Sequence, residues 1–175
     1  MKTIRGKTPV RQLYKDFQSL HPPQIEIAFL MQDWDDAYNV GGMFRVADAV
    51  GATELLMTGH TPLPPDPMVS VTSLGHHRRV SYRHVRNHEE GALAMVEEGW
   101  TLVAVEIADG AVAYFDYDFP KRTCLVLGNE ARGIYSSVIK HCASAVYIPM
   151  LGKGRSLNVH VAAAVVAFDA VMKPR

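Results

Sequence analysis

Apolar positions along this chain follow two rhythms, and the switches between them mark its elements. From Pro9 to Leu20, Val10, Leu13, Tyr14, Phe17 and Leu20 recur at helical spacing, which predicts a docked amphipathic helix ended by His21-Pro22-Pro23. Ile25 to Met31 first alternates and then runs continuously apolar, the pattern of a buried strand. Asn39 to Val50 returns to a helical pattern, with Asn39 as a candidate cap and Gly51 as the stop. Thr53 to Met57 predicts the next strand, followed by a proline-rich loop from Thr61 to Pro67 and a short strand. Glu89 to Gly99 predicts a helix, Trp100 to Ile107 a strand, and Cys124 to Leu127 another. Val146 to Pro149 is the last strand candidate, and Val159 to Phe168 a helix apolar almost all round. Such alternation predicts an α/β fold, a mostly parallel sheet with helices on both faces.

Two of these strands empty into glycine-bearing loops that run into helices. Cys124 to Leu127 leads to Gly128-Asn129-Glu130-Ala131-Arg132-Gly133, and Val146 to Pro149 leads to Leu151-Gly152-Lys153-Gly154-Arg155. Ser156-Leu157-Asn158 then offers cap-type side chains to the last helix. Ligands of open α/β sheets bind outside the carboxyl ends of the strands, and glycines let main chain approach them closely. A pocket built mainly from main chain is expected here, with Glu106 at another of its edges.

At 175 residues the chain is expected to form one domain, 1–175, with residues 1–22 as a basic helical extension. Apolar content of 48% and charged content of 21% are ordinary for a globular protein. No apolar stretch is long enough to span a bilayer, and Thr8 to Gln18 is too polar for a signal peptide, so a cytoplasmic location is expected. Two cysteines, Cys124 and Cys142, make no disulfide framework.

The formal charge is zero, but its distribution is uneven. Lys2, Arg5, Lys7, Arg11 and Lys15 stand together without an acid, and no acid lies between Asp66 and Glu89. That second window holds Arg78, Arg79, Arg83 and Arg86, four histidines, and Tyr82 for stacking. Either stretch could be a solvated face; an RNA-contacting surface is the sharper reading. His84 and His88 stand four apart, but no cysteine or carboxylate supports them as metal ligands, and no metal is expected. Arg45 sits among apolar neighbours, where a guanidinium requires a carboxylate, phosphate or carbonyl partner. Asp36 and Asp48 are the nearest carboxylates.

Gly152-Lys153-Gly154-Arg155-Ser156 lacks the spacing of a Walker loop, and neither a dinucleotide fingerprint nor a hydrolase elbow is present. Three other stretches match one family in order and spacing. Asn39 to Arg45 (NVGGMFR), Leu125 to Gly133 (LVLGNEARG), and Ile148 to Gly152 with Ser156-Leu157-Asn158 resemble the three motifs of the SpoU/TrmH family, SPOUT-class RNA 2′-O-ribose methyltransferases. The resemblance runs from about Ile25 to the C-terminus.

It implies a SPOUT-type α/β fold with a C-terminal trefoil knot, S-adenosylmethionine as cofactor, and a homodimer joined through the helix at 159–170. By matching position it implies cofactor contacts from Val105, Glu106, Gly128, Asn129, Glu130, Ile148, Met150, Ser156 and Leu157. Arg45, Asn39, Glu130, Ser156 and Asn158 take the catalytic positions, and the resemblance gives Arg45, assisted by the RNA phosphate, the task of accepting the hydroxyl proton or stabilising the forming alkoxide. An arginine is a poor base, so a clamp on phosphate and developing oxyanion charge is the preferred of the two readings. Glu130 has a second reading, as a salt-bridge partner of Arg45 or Arg132. The RNA, tRNA first and rRNA otherwise, would meet Arg5, Lys7, Arg11, Arg78, Arg79, Arg83, Arg86, Lys153 and Arg155. One position departs from the family pattern: His160 stands where a small polar residue is usual. A non-catalytic RNA-binding protein of the same fold, and a small-molecule methyltransferase or nucleotide-binding module, are the alternatives.

Overall fold

The computed structural model describes residues 2–173; Met1, Pro174 and Arg175, the ends of the expected domain, lie outside the described residues. Strand β1 (Glu26–Gln32) runs through the middle of the sheet, between β2 (Leu55–Thr58) and β6 (Arg122–Leu127). Beyond β2 lies β3 (Tyr82–Val85); beyond β6 lie β4 (Thr101–Val105), β7 (Ser144–Tyr147) and the short β5 (Val112–Ala113). The order of the seven strands is β3-β2-β1-β6-β4-β7-β5, and every pairing is parallel.

A strand's side chains alternate between faces, so a sheet covered on both sides needs apolar residues at every position. Ile27, Phe29 and Met31 of β1 pack with helices α2 (Ala37–Val50) and α6 (Val159–Met172). Ala28 and Leu30 face the other layer, formed by α4 (His88–Glu97) and Val138 of the short α5 (Ser136–Ile139). Each large apolar side chain buried this way contributes roughly 1.5–3 kcal/mol, so the unbroken apolar run of β1 fixes its central place.

Some element bounds differ from those the patterns predict. Helix α2 starts at Ala37, capped by Asp36, whose Oδ1 accepts the Tyr38 N–H at 2.8 Å. Asn39 is therefore not the cap, and its side chain is free for other partners. Gly51 ends the helix in a left-handed conformation, as expected (φ 69°). The proline-rich loop closes into a further helix, α3 (Pro67–Thr72), because Asp66 caps it and Pro67 suits a first helical position. Ile148 and Pro149 fall just past the end of β7, in the loop.

The N-terminal helix α1 (Lys7–Leu20) forms, but it does not dock: none of its residues is buried, and Leu13, Tyr14, Phe17 and Leu20 are exposed. Its apolar stripe stabilises a helix only when some surface faces it, and among the described residues none does. Among the described residues, no helix is long and apolar enough to cross a membrane. Because α1 buries nothing, deleting residues 2–22 should move the melting temperature by less than about 2 °C. A loss of about 5 °C or more would mean that the stripe is covered in solution.

Candidate active site

The polar end of β1 builds the first wall of the site. Gln32, Asp33 and Trp34 are all buried. Gln32 donates from Nε2 to the Gly133 carbonyl (3.2 Å) and accepts the Tyr135 N–H at Oε1 (2.8 Å). The Trp34 indole donates to the Leu127 carbonyl (3.3 Å). Asn129 donates from Nδ2 to the Asp33 carbonyl (2.6 Å) and to Asp35 (2.9 Å), while its Oδ1 accepts from the N–H groups of Ala131 and Arg132. The backbones of Asn129 and Gly133 close the loop with reciprocal bonds of 3.1 and 2.9 Å. A Cβ on Gly128 would run into the backbone of Gly133 and Ile134, so this position requires glycine.

Asp33 has a left-handed backbone (φ 56°), unusual for a residue with a side chain. Its carboxylate accepts the His60 N–H (2.9 Å) and the Tyr135 hydroxyl (2.8 Å). Burial alone would raise this carboxyl, but those two donors and the nearby His88 hold it below the ordinary carboxylate value. Tyr135 in turn accepts from Arg132 (3.3 Å). None of Gln32, Asp33, Trp34 and Tyr135 was visible as a site residue in the sequence. The available signal was three polar-capable residues in a row directly after a fully apolar strand.

A cavity of about 510 Å³ opens beside this loop, at the carboxyl ends of β4, β6 and β7. Val105, Glu106, Gly128, Asn129, Glu130, Ile148, Met150, Ser156 and Leu157, the nine positions expected to meet a cofactor, all line it. Ile107, Leu127, Tyr147, Val159 and Ala162 add apolar wall. Glu106 accepts the Ile107 N–H at Oε1 (3.0 Å) and the Ile134 N–H at Oε2 (3.3 Å), joining the end of β4 to the second motif's loop. Arg155, expected among the RNA-facing cations, lies on the cavity wall. Lys153 is exposed on the same loop.

The remaining motif residues meet around Asn39, which is 6% exposed. Its Nδ2 donates to Glu130 Oε1 (2.9 Å), and its Oδ1 accepts from Asn158 Nδ2 (2.8 Å). Glu130 Oε2 accepts the Asp35 N–H (3.2 Å). Glu130 therefore does not pair with Arg45 or Arg132. Asn158 also caps α6, its Oδ1 accepting the His160 N–H (3.1 Å). Arg45 does not turn into the interior: it is exposed on α2, and no ion pair among the described residues involves it. Asp48, an expected partner, bonds Arg79 (3.3 Å) and approaches His76 (2.9 Å) instead. Neither Arg45 nor Asn39 lines the cavity.

The expected RNA-facing cations divide into paired and open. Arg83 is held by Glu54 (2.9 Å) and Glu98 (2.7 Å), which removes it from a positive face. Arg79 is half-committed to Asp48, whereas Arg78 and Arg86 are exposed, as are Arg5, Lys7 and Arg11. His84 bonds the Gly59 carbonyl and His88 bonds Thr58, and no metal-binding group occurs among the described residues.

Fold and site define a parallel α/β protein with its ligand cavity at the carboxyl ends of three strands, closed by glycine-bearing loops. The chain belongs to the SpoU rRNA Methylase family, whose model matches residues 26–168. It is 31% identical over 167 residues to a tRNA (guanosine(18)-2'-O)-methyltransferase of Thermus thermophilus, covering 95% of this chain and 84% of that one. A 23S rRNA (uridine(2479)-2'-O)-methyltransferase of Streptomyces viridochromogenes is 34% identical over 139 residues, with 76% and 48% covered. Among solved structures, the SpoU methyltransferase AviRb of the same organism superposes with a TM-score of 0.77 at 29% identity, covering 87% of this chain and 62% of that one. An AdoMet-bound rRNA methyltransferase from Sinorhizobium meliloti gives a TM-score of 0.78 at 26% identity, with 87% and 58% covered. This chain thus spans most of the Thermus relative, but about half to three fifths of the other three.

Asp33 makes the first wall sensitive to acid. A carboxylate held below its unfolded value stabilises the fold fully above about pH 4, and that contribution is lost as pH falls through the folded value. The stability gap between the wild type and Asp33→Asn should therefore be widest near neutrality and close on acidification. Denaturant titrations across pH measure it; a gap independent of pH would contradict the assignment.

Proposed function

We propose that this chain transfers a methyl group from S-adenosylmethionine to a ribose 2′-hydroxyl of structured RNA, with tRNA as the first substrate class and rRNA as the second. The observation that carries this reading is the junction of one cavity with one polar network. Second- and third-motif residues line the cavity, and Glu130 and Asn158 continue from it to Asn39 on the helix that bears Arg45. The relatives named for tRNA and rRNA ribose methylation supply the substrate class.

The cavity suits such a cofactor. Leu127, Ile148 and Leu157 offer apolar wall to an adenosine and the methylene groups beside its sulfonium, and Glu106 and Glu130 bring carboxylates toward a cationic ligand. When bound, the sulfonium supplies an already activated methyl group, so the protein's task is alignment and charge stabilisation. A guanidinium has five donors and no acceptor. Arg45 accordingly holds an RNA phosphate and the developing alkoxide, and the hydroxyl proton leaves to phosphate or water. Asn39, Glu130, Ser156 and Asn158 set the geometry around it. Arg78, Arg86 and the cations of α1 give the RNA backbone an approach.

The trefoil knot and the homodimer belong to the same proposal. Support for the knot is that β6 inserts between β1 and β4, while Lys173 after α6 bonds the carbonyls of Phe115 and Tyr117 in the connection between β4 and β6. Support for the dimer is that α6 leaves Val161, Phe168 and Met172 exposed, a face that a second copy would cover. An enzyme acting on these RNAs works in the cytoplasm.

The decisive experiment is transfer of labelled methyl from S-adenosylmethionine to unmodified tRNA and rRNA pools, followed by nucleoside analysis. Label as a 2′-O-methyl nucleoside is expected; label only on a base, or none in either pool with precursor RNA included, would refute the reading. Arg45→Ala should lower the rate constant at least about a hundredfold while cofactor affinity stays within about twofold. Arg78→Ala with Arg86→Ala should weaken RNA binding and flatten its salt dependence by roughly one to two in log–log slope. Arg83→Ala should leave that slope unchanged, because its charge is already paired.

A further inference from the structure

His160 occupies a seat that the three motifs do not account for. Glu130 as a carboxylate can only accept, so the nitrogen of the Asn39 amide must face it. Asn158 uses its oxygen to cap α6, so its nitrogen faces Asn39. Both constraints leave Asn39 Oδ1 as a pure acceptor. His160 Nδ1 lies 3.3 Å from that same oxygen, so a neutral ring can bond it only with its hydrogen on Nδ1, which leaves Nε2 bare.

The bare edge of the ring rests on α2 at Gly42. A Cβ there would come within 2.8 Å of His160 Cδ2 and 2.9 Å of Nε2. Asn39, Gly42 and Arg45 recur every third residue along α2, so one helix face carries the ring's acceptor, its seat and the exposed arginine.

We propose that His160 is a positioning residue for methyl transfer: as a neutral ring donating from Nδ1, it locks the Asn39 amide that joins Glu130 to Asn158. This role rests on the methyltransferase reading above. It also makes the site acid-sensitive. Protonation would place an N–H on Nε2, against the Gly42 methylene and beside a second cation. The charged groups that act on the ring are Arg45 of α2 and Asp36, the residue that caps it; the neighbour from the start of α6, Asn158, is uncharged. Burial first, and then Arg45, hold the ring below the ordinary histidine value against the pull of Asp36. As pH falls through that value the ring should leave its seat, and Asn39 should lose one of its two donors.

The test compares His160→Asn, which keeps a donor where Nδ1 stands, with His160→Ala, using single-turnover methyl transfer across pH. His160→Ala should lower the rate constant about tenfold, with RNA affinity and S-adenosylhomocysteine affinity unchanged. His160→Asn should recover most of that rate and lose the acid limb of the wild-type profile. Equal losses in the two variants, no loss in either, or an unchanged acid limb in His160→Asn would overturn the proposal. Nitrogen-15 spectra of the imidazole in the wild-type protein give a readout that needs no turnover. A neutral ring protonated at Nδ1 supports the seat, and one protonated at Nε2 refutes it. Should no RNA accept label, the methyltransferase reading fails, and those spectra still decide whether His160 holds Asn39.

Discussion

The site depends on how β1 ends. A central parallel strand buried on both faces leaves no water for the loops that follow it, so polar atoms at its tip must be satisfied by protein. Gln32 meets this demand in both directions, donating to Gly133 and accepting from Tyr135, and Trp34 reaches the Leu127 carbonyl. Each bond contributes only about 1 kcal/mol net, but leaving any of these groups unpaired would cost about 1–3 kcal/mol. The second-motif loop is therefore held in one shape by the penalty on its alternatives. Its glycines permit that shape, and the tip of β1 selects it.

From that loop, fixed geometry passes to a different layer of the fold. Glu130 leaves the loop to meet Asn39 on α2, and Asn39 meets Asn158 at the start of α6. Elements far apart in sequence thus share one buried amide. An amide is suited to this place because it offers donors on one side and an acceptor on the other, which a carboxylate or ammonium does not. The earlier start of α2 matters here. With Asp36 as its cap, Asn39 falls inside the first turn and can serve the network instead of the helix end.

Much of this was legible in the sequence, and the omissions share a cause. The glycine-bearing loops after β6 and β7 marked the mouth of the cavity, and the nine positions that the family resemblance named line part of it. The β1 run fixed the centre of the fold. Side-chain partnership was much less legible. Arg83 stands in a run of cations and reads as part of a positive face, yet Glu54 and Glu98 come to it from elsewhere in the chain. Arg45 reads from its neighbours as a cation near the interior or a cleft, and the helix turns it outward. The stripe on α1 predicts a helix correctly and a docking surface incorrectly, since periodicity reports a face and not what meets it. Local pattern fixes backbone; long-range pairing decides the fate of charge.

The two walls of the cavity are held very differently, and this difference bears on how the site works. Residues 128–135 are braced by bonds to Gln32 at the end of β1 and to Asp33 just beyond it. Met150 to Asn158 are exposed throughout, and the chief anchor of that segment is Asn158, bonded to Asn39 and to the first turn of α6. A segment with few buried contacts lies at the low end of local stability. One wall is cross-braced to the tip of β1, and the other is tied chiefly at its end, through Asn158. Because Asn39 bonds both Asn158 and Glu130, a single amide on the helix that carries Arg45 joins the two walls.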